Sequence, residues 1–212
     1  MIIVIMFSVA GCTEKRPEIT RPVRIGMNVW AGYAYAFIAR EKGFFKKNNV
    51  DVDLVLRKTT IEAYELFRNR EVDGVFGVLS DVIMLYGDGY PSKAVYFTDE
   101  SISSDVIISR PAYSSLKDLR GKRVGVEGIN SFSHLFVLKM LERAGIKESE
   151  VIIRNVSGLD VLSEIEKNML DAGHTWDPVA TKALAKGYRI LGRAGDSPGI
   201  IIDGLFFSTE AI

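Results

Sequence analysis

The chain has 212 residues, 47% of them hydrophobic and 25% charged, which is ordinary globular usage and excludes disorder and collagen-like repetition. Its 27 Lys and Arg are balanced by 27 Asp and Glu, so the basic excess of a dedicated nucleic-acid binder is missing. One Cys and two His exclude a disulfide framework and a Cys-based zinc site, and leave little for a His-rich metal centre.

The amino terminus reads as a targeting segment. Residues 1–11 form an apolar run about half the length of a membrane-spanning helix, which suits the hydrophobic region of a signal peptide. Val9-Ala10-Gly11-Cys12 resembles a bacterial lipobox, in which the cysteine is lipidated and becomes the first residue of the mature chain, and Cys12 is the only cysteine in the sequence. Residues 12–22 are polar and proline-containing, and are expected to be a tether.

Strand and helix patterns then alternate. Val23, Ile25 and Met27 have the period of a strand, and 33–42 is apolar on one side and stops at Gly43, a left-handed cap. Strand patterns at 50–56, 72–78 and 94–97 enclose helical patterns at 61–69 and 81–86. The alternation restarts with strands at 105–109, 123–127, 151–156 and 188–191 and helices at 132–144, 159–168 and 179–186. Such alternation implies an α/β fold of mostly parallel sheets flanked by helices. It divides into a first lobe over 23–100, a second over 101–203, and a strand over 204–212 that returns to the first lobe. Two lobes of this kind commonly hold a small molecule between them.

Several short patterns recur in a fixed order. Trp30-Ala31-Gly32-Tyr33 opens the first helix and is followed by Ala39-Arg40-Glu41-Lys42-Gly43-Phe44-Phe45-Lys46-Lys47. Then come Glu71-Val72-Asp73-Gly74, Asp99-Glu100-Ser101 with Ser104-Asp105, and Leu116-Lys117-Asp118-Leu119-Arg120-Gly121-Lys122-Arg123-Val124. Glu127-Gly128 with Ser131-Phe132-Ser133-His134, and Leu170-Asp171-Ala172 with Trp176-Asp177-Pro178, complete the series. Together these fragments resemble the substrate-binding proteins of ABC importers for nitrate, sulfonates, taurine and thiamine-pyrimidine precursors. The resemblance implies a two-lobed type II periplasmic-binding-protein fold, an ABC transporter permease as partner and a monomer. It also implies a further C-terminal part completing the first lobe, so that an apolar face of that lobe is expected to stand uncovered.

The candidate ligand residues sit where strands end. Trp30 can stack on a flat ligand, Gly32 lets the backbone approach one, and Tyr33 adds a polar tip. Ser80 and Asp81 follow a strand, and Asp99 and Ser101 lie where the chain passes to the second lobe. Glu127, Ser131 and Ser133 flank a helix start whose free N–H groups can take a polar ligand atom. Trp176 is placed to face Trp30 from the second lobe. Capping, turn and core-packing roles stand beside the ligand roles at each of these positions. Glu127 most needs a partner, because a carboxylate after a buried strand is costly alone. Asp177 before Pro178 reads as structural, at the start of a helix.

No nucleophile–base pair, metal motif or phosphate-binding loop is legible, so no enzyme activity, cofactor or metal is expected. A pyrimidine-synthesising enzyme that shares the resemblance carries a Cys-rich motif, and nothing like it stands here. Delivery of a small organic ligand to an importer is the expected function, with an amino-bearing pyrimidine preferred to an oxyanion because the candidate set holds carboxylates and no Lys or Arg. Sulfonate, taurine or nitrate binding and a ligand-sensing domain are the alternatives.

Overall fold

The structure is a computed structural model and describes residues 21–212. The expected signal segment, Cys12 and all but the last two residues of the tether lie outside the described residues.

The first lobe contains β1 (Val23–Met27), α1 (Ala34–Glu41), α2 (Phe44–Lys47), β2 (Val52–Leu56), α3 (Thr60–Arg68), β3 (Gly74–Val78), α4 (Leu79–Gly87) and β4 (Ser92–Glu100). The second contains β5 (Val106–Ser109), β6 (Arg123–Val126), α5 (Phe132–Arg143), β7 (Ile152–Asn155), α6 (Val161–Glu166), β8 (Ala172–Thr175), α7 (Val179–Ala185) and β9 (Arg189–Arg193). The chain then crosses back as β10 (Ile202–Ser208), which joins the sheet of the first lobe. The helix starts follow local chemistry. Thr59 and Glu62 form a reciprocal capping box at α3, and the Ser131 hydroxyl accepts from His134 N at α5. Gly43 takes φ 69° between α1 and α2, a conformation in which other residues are strained.

The two sheets have matching orders, β2-β1-β3-β10-β4 and β7-β6-β8-β5-β9. In each, one strand runs against the other four: β10 is antiparallel to β3 and β4, and β5 to β8 and β9. These reversed strands are the first that the chain makes after each crossing between lobes. The α/β class with mostly parallel, helix-flanked sheets holds, and the reversed strands are what the crossings add. Two elements are missing from the sequence reading: the one-turn helix α2, and β8, whose Ala-Gly-His-Thr composition lacks the β-branched and aromatic signature of a strand. Strand β8 lies between β6 and β5, buried along its whole length.

The core is divided in the same way. Ala63, Tyr64, Leu66 and Phe67 of α3 pack on Val75 of β3, while Met27, Tyr33, Ala36 and Phe76 fill the other side of that sheet. In the second lobe Phe136, Val137, Met140 and Leu141 of α5 cover Val124, Val126 and Ile107. Val78 of the first lobe belongs to this last cluster, so apolar packing runs across the boundary between the lobes. Over the sheet of the first lobe, an apolar groove of about 740 Å³ is lined by Val23, Ile25, Phe45, Val52, Leu205 and Phe207. No helix among the described residues is long and apolar enough to cross a membrane.

Candidate functional site

The two lobes meet along a cleft crossed by the segments that link β4 to β5 and β9 to β10. Ser101 N donates to Ile201 O at 3.0 Å and so ties one crossing segment to the other. At the bottom of the cleft is a small cavity lined by Asn28, Trp30, Tyr33, Thr60 and Asp203 from one side and Asp105, Phe132 and Trp176 from the other, with Val78 and Ile201 between them. About 20 Å³ is open to the centre of a water molecule, room for roughly one water in this closed arrangement.

Neighbouring strands fix the aromatic walls. The Trp30 indole N–H donates to both oxygens of Asp99 on β4, at 3.2 and 3.3 Å. Gly32 makes that contact possible: a Cβ at this position would overlap Asp99 Oδ2 and approach Trp30 Nε1 to 2.7 Å. Tyr33 is buried against Phe76 and donates its hydroxyl to Asp203 Oδ1. Trp176 packs over Gly158 and against the His174 ring.

The polar groups of the cavity are predominantly acceptors. Asn28 Oδ1 is buried and has no hydrogen-bond partner among the described residues. Burial pushes Asp203 up to about 8, with Asp99, Asp105 and Asp81 adding like charge. Burial likewise raises Tyr33 well above the ordinary phenol range. Among the described residues no Lys or Arg lines the cavity.

Around the cavity, polar contacts hold the lobes together. Asp81, at the start of α4, accepts from Phe132 N, the first residue of α5, at 2.5 Å. Its second oxygen is buried without a hydrogen-bond partner among the described residues, and burial raises the group to about 7. Glu127 accepts from Gly158 N at 2.9 Å, from the Ser157 hydroxyl at 3.4 Å and from Thr60 N of the other lobe at 3.4 Å. That is the partner set its burial calls for, and burial still raises its pKa.

Of the residues singled out from the sequence, Trp30, Tyr33 and Trp176 line the cavity together. Asp99 stands behind Trp30, and Gly32 is half-buried beside them in a single 3-10 turn, Ala31–Tyr33. Ser101 accepts from Asp105 N and belongs to the crossing. Ser131 caps α5 and donates to the carbonyls of Glu127 and Gly128. Ser133 is fully buried in the second lobe, and Ser80 is half-buried with its hydroxyl unpartnered among the described residues. Asp81 and Glu127 bridge the lobes rather than lining the cavity. Asp177 accepts from Thr181 N and its hydroxyl over the first turn of α7. The sequence reading missed Asn28, Thr60, Asp105, Phe132 and Asp203. Asn28 directly follows β1, so the rule that ligands sit at the carboxyl ends of strands could have found it, whereas Asp105 precedes β5 and comes to the cleft because that strand is reversed.

Comparison with known proteins places this geometry. The model of the family described as NMT1/THI5 like matches residues 30–194. The chain belongs to the NMT1/THI5-like family. A Brucella abortus relative named "Putative binding protein" is 30% identical over 162 residues, which is 74% of this chain and 49% of the relative. One from Haemophilus influenzae named "Putative thiamine biosynthesis protein" is 26% identical over 126 residues, 59% of this chain and 40% of the relative. The chain thus spans about half the length of the curated relatives it matches, or less. Among solved structures, the periplasmic aliphatic sulphonate binding protein SsuA of Escherichia coli superposes with a TM-score of 0.75 at 19% identity, over 90% of this chain and 66% of that one. The alkanesulfonate-binding protein SsuA of Xanthomonas axonopodis pv. citri, bound to MOPS, gives 0.75 at 16% identity over 89% and 66%. At these identities the likeness establishes the periplasmic-binding-protein fold for this family member.

Proposed function

We propose that the protein is an extracytoplasmic solute-binding protein that captures a small organic molecule between its lobes and delivers it, unchanged, to an ABC importer. The two-lobed fold, the family and the binding-protein relatives support that reading. Val-Ala-Gly-Cys supports a lipid anchor at Cys12, for which mass spectrometry of membrane-extracted protein should find a mature chain beginning at the acylated cysteine.

The ligand reading is an amino-bearing heteroaromatic, such as an aminopyrimidine. The observation that carries it is the lining of the cavity. Two tryptophans supply stacking surface, and Asn28 Oδ1 and the acids Asp105 and Asp203 supply acceptors, with no cation in the lining among the described residues. A sulfonate or nitrate would need donors there. The nearest helix N-terminus has its first N–H engaged by Asp81 and its third by Ser131. Isothermal titration with 4-aminopyrimidine, taurine and nitrate tests the preference. Binding of the aminopyrimidine alone supports the reading; tight binding of taurine or nitrate without it overturns the reading.

A further inference from the structure

Three polar side chains of the second lobe lie in a line behind the cavity. Ser133 Oγ of α5 is 2.7 Å from His174 Nδ1 of β8, and His174 Nε2 is 2.8 Å from Asp105 Oδ1. Ser133 and His174 are 0% exposed and Asp105 is 3% exposed. The composition resembles that of a hydrolytic triad, but the arrangement does not. A general-base histidine presents a nucleophile that a substrate can reach. Here the serine oxygen has no exposed surface and already accepts from Glu127 N at 2.8 Å.

Counting donors and acceptors assigns the protons. Ser133 Oγ takes the Glu127 N–H, so its own proton has His174 Nδ1 as its acceptor. Nδ1 is then unprotonated, Nε2 carries the hydrogen, and that hydrogen goes to Asp105 Oδ1. This assignment leaves every group along the line satisfied, as burial demands. Aromatic neighbours lock the ring: Phe136 at 5.0 Å, and Phe132 and Trp176 at 5.6 Å between centroids. Phe132, Trp176 and Asp105 are also walls of the cavity. No donor among the described residues reaches the second oxygen of Asp105.

We propose that His174 is a positioning residue of the ligand cavity: its Nε2–H holds one oxygen of Asp105 and leaves the other to accept an N–H of the bound molecule. The role rests on the reading of the ligand as amino-bearing. It also explains why a histidine occupies the middle of a buried strand otherwise made of Ala, Gly and Thr.

Two variants separate positioning from packing. His174→Gln reaches the Nε2 position and keeps a donor for Asp105, whereas His174→Asn stops near Nδ1 and keeps only the partner of Ser133. With 4-aminopyrimidine as the probe in isothermal titration, His174→Gln should stay within about threefold of the parent, and His174→Asn should bind about tenfold more weakly or worse. Each variant loses one buried hydrogen bond, so a purely structural role would weaken both alike, and that result overturns the proposal. The chain has only two histidines, so long-range proton–nitrogen correlation resolves the His174 ring in the ligand-free parent. An Nε2–H tautomer is expected, and an Nδ1–H or doubly protonated ring overturns the relay. If the parent does not bind the probe, the ligand reading fails and the tautomer alone decides the relay.

Discussion

Asp81 offers a direct measure of what closing the cleft costs. Its carboxyl reaches from α4 to the first N–H of α5, is buried, and has one oxygen without a partner among the described residues. Burial raises it from 3.8 to about 7. The folded state therefore binds a proton more tightly than the unfolded chain does, so stability is fully present below pH ~4 and is lost as pH rises through about 7. A rise of about three pH units corresponds to roughly 4 kcal/mol at most, because the lobes can part and return the group to water. Asp81→Asn keeps an acceptor for Phe132 N and removes the titration. Its advantage over the parent should therefore grow by about 2–3 kcal/mol between pH 4.5 and 8. Urea denaturation of both proteins at pH 4.5, 6 and 8 measures it, with equal m-values as the check that the unfolding unit is unchanged. Asp203 titrates in an overlapping range and is raised in part by the charge of Asp81, so the difference between the proteins contains the coupling of the two acids as well as the desolvation of Asp81. If the difference is flat with pH, or if Asp81→Asn is the less stable protein at pH 8, the desolvation argument fails. The carboxylate would then be a net-favourable charge at a helix N-terminus.

Two further outcomes follow from the packing. Gly32→Ala forces Asp99 away from the Trp30 indole, so affinity for 4-aminopyrimidine should fall about tenfold while the melting temperature moves by only a few degrees; unchanged titration and tryptophan fluorescence would contradict this. Phe136→Ala empties the centre of the second core beside His174, where Phe136 is 0% exposed, and should cost about 3–5 kcal/mol in urea denaturation, with a loss under 1 kcal/mol refuting the packing account.

Hydrophobic periodicity made the fold legible, and it failed where periodicity has nothing to act on. Strands such as Val23–Met27 and Val52–Leu56 are visible because large apolar residues alternate with charged or small ones, as in Val-Arg-Ile-Gly-Met. β8 is buried on both faces and is built of small and polar residues, so no alternation marks it. The direction of β10 and β5 was equally out of reach, since strand orientation is set by where the chain re-enters a lobe and leaves no periodic trace.

For the site, the aromatic positions could be read because Trp30 and Trp176 are rare, bulky residues at strand ends. The acids could not be sorted, because the sequence shows that a carboxylate follows a strand but not which N–H groups meet it. Glu127 and Asp81 read as ligand acceptors, and in the folded chain backbone donors from the neighbouring lobe or loop occupy them. Asp105 enters the sequence reading only within the Ser104-Asp105 pattern and Asp203 is not singled out, yet both face the cavity. The difference lies in long-range pairing: Asp203 is opposite Val78 and Asp99 in the sheet, and Asp105 is reached by a histidine 69 residues away. Closing the cleft therefore divides its acids into two groups with separate work. Asp81 and Glu127 spend their acceptor capacity on joining the lobes, and Asp105 and Asp203 remain as the acids that line the cavity.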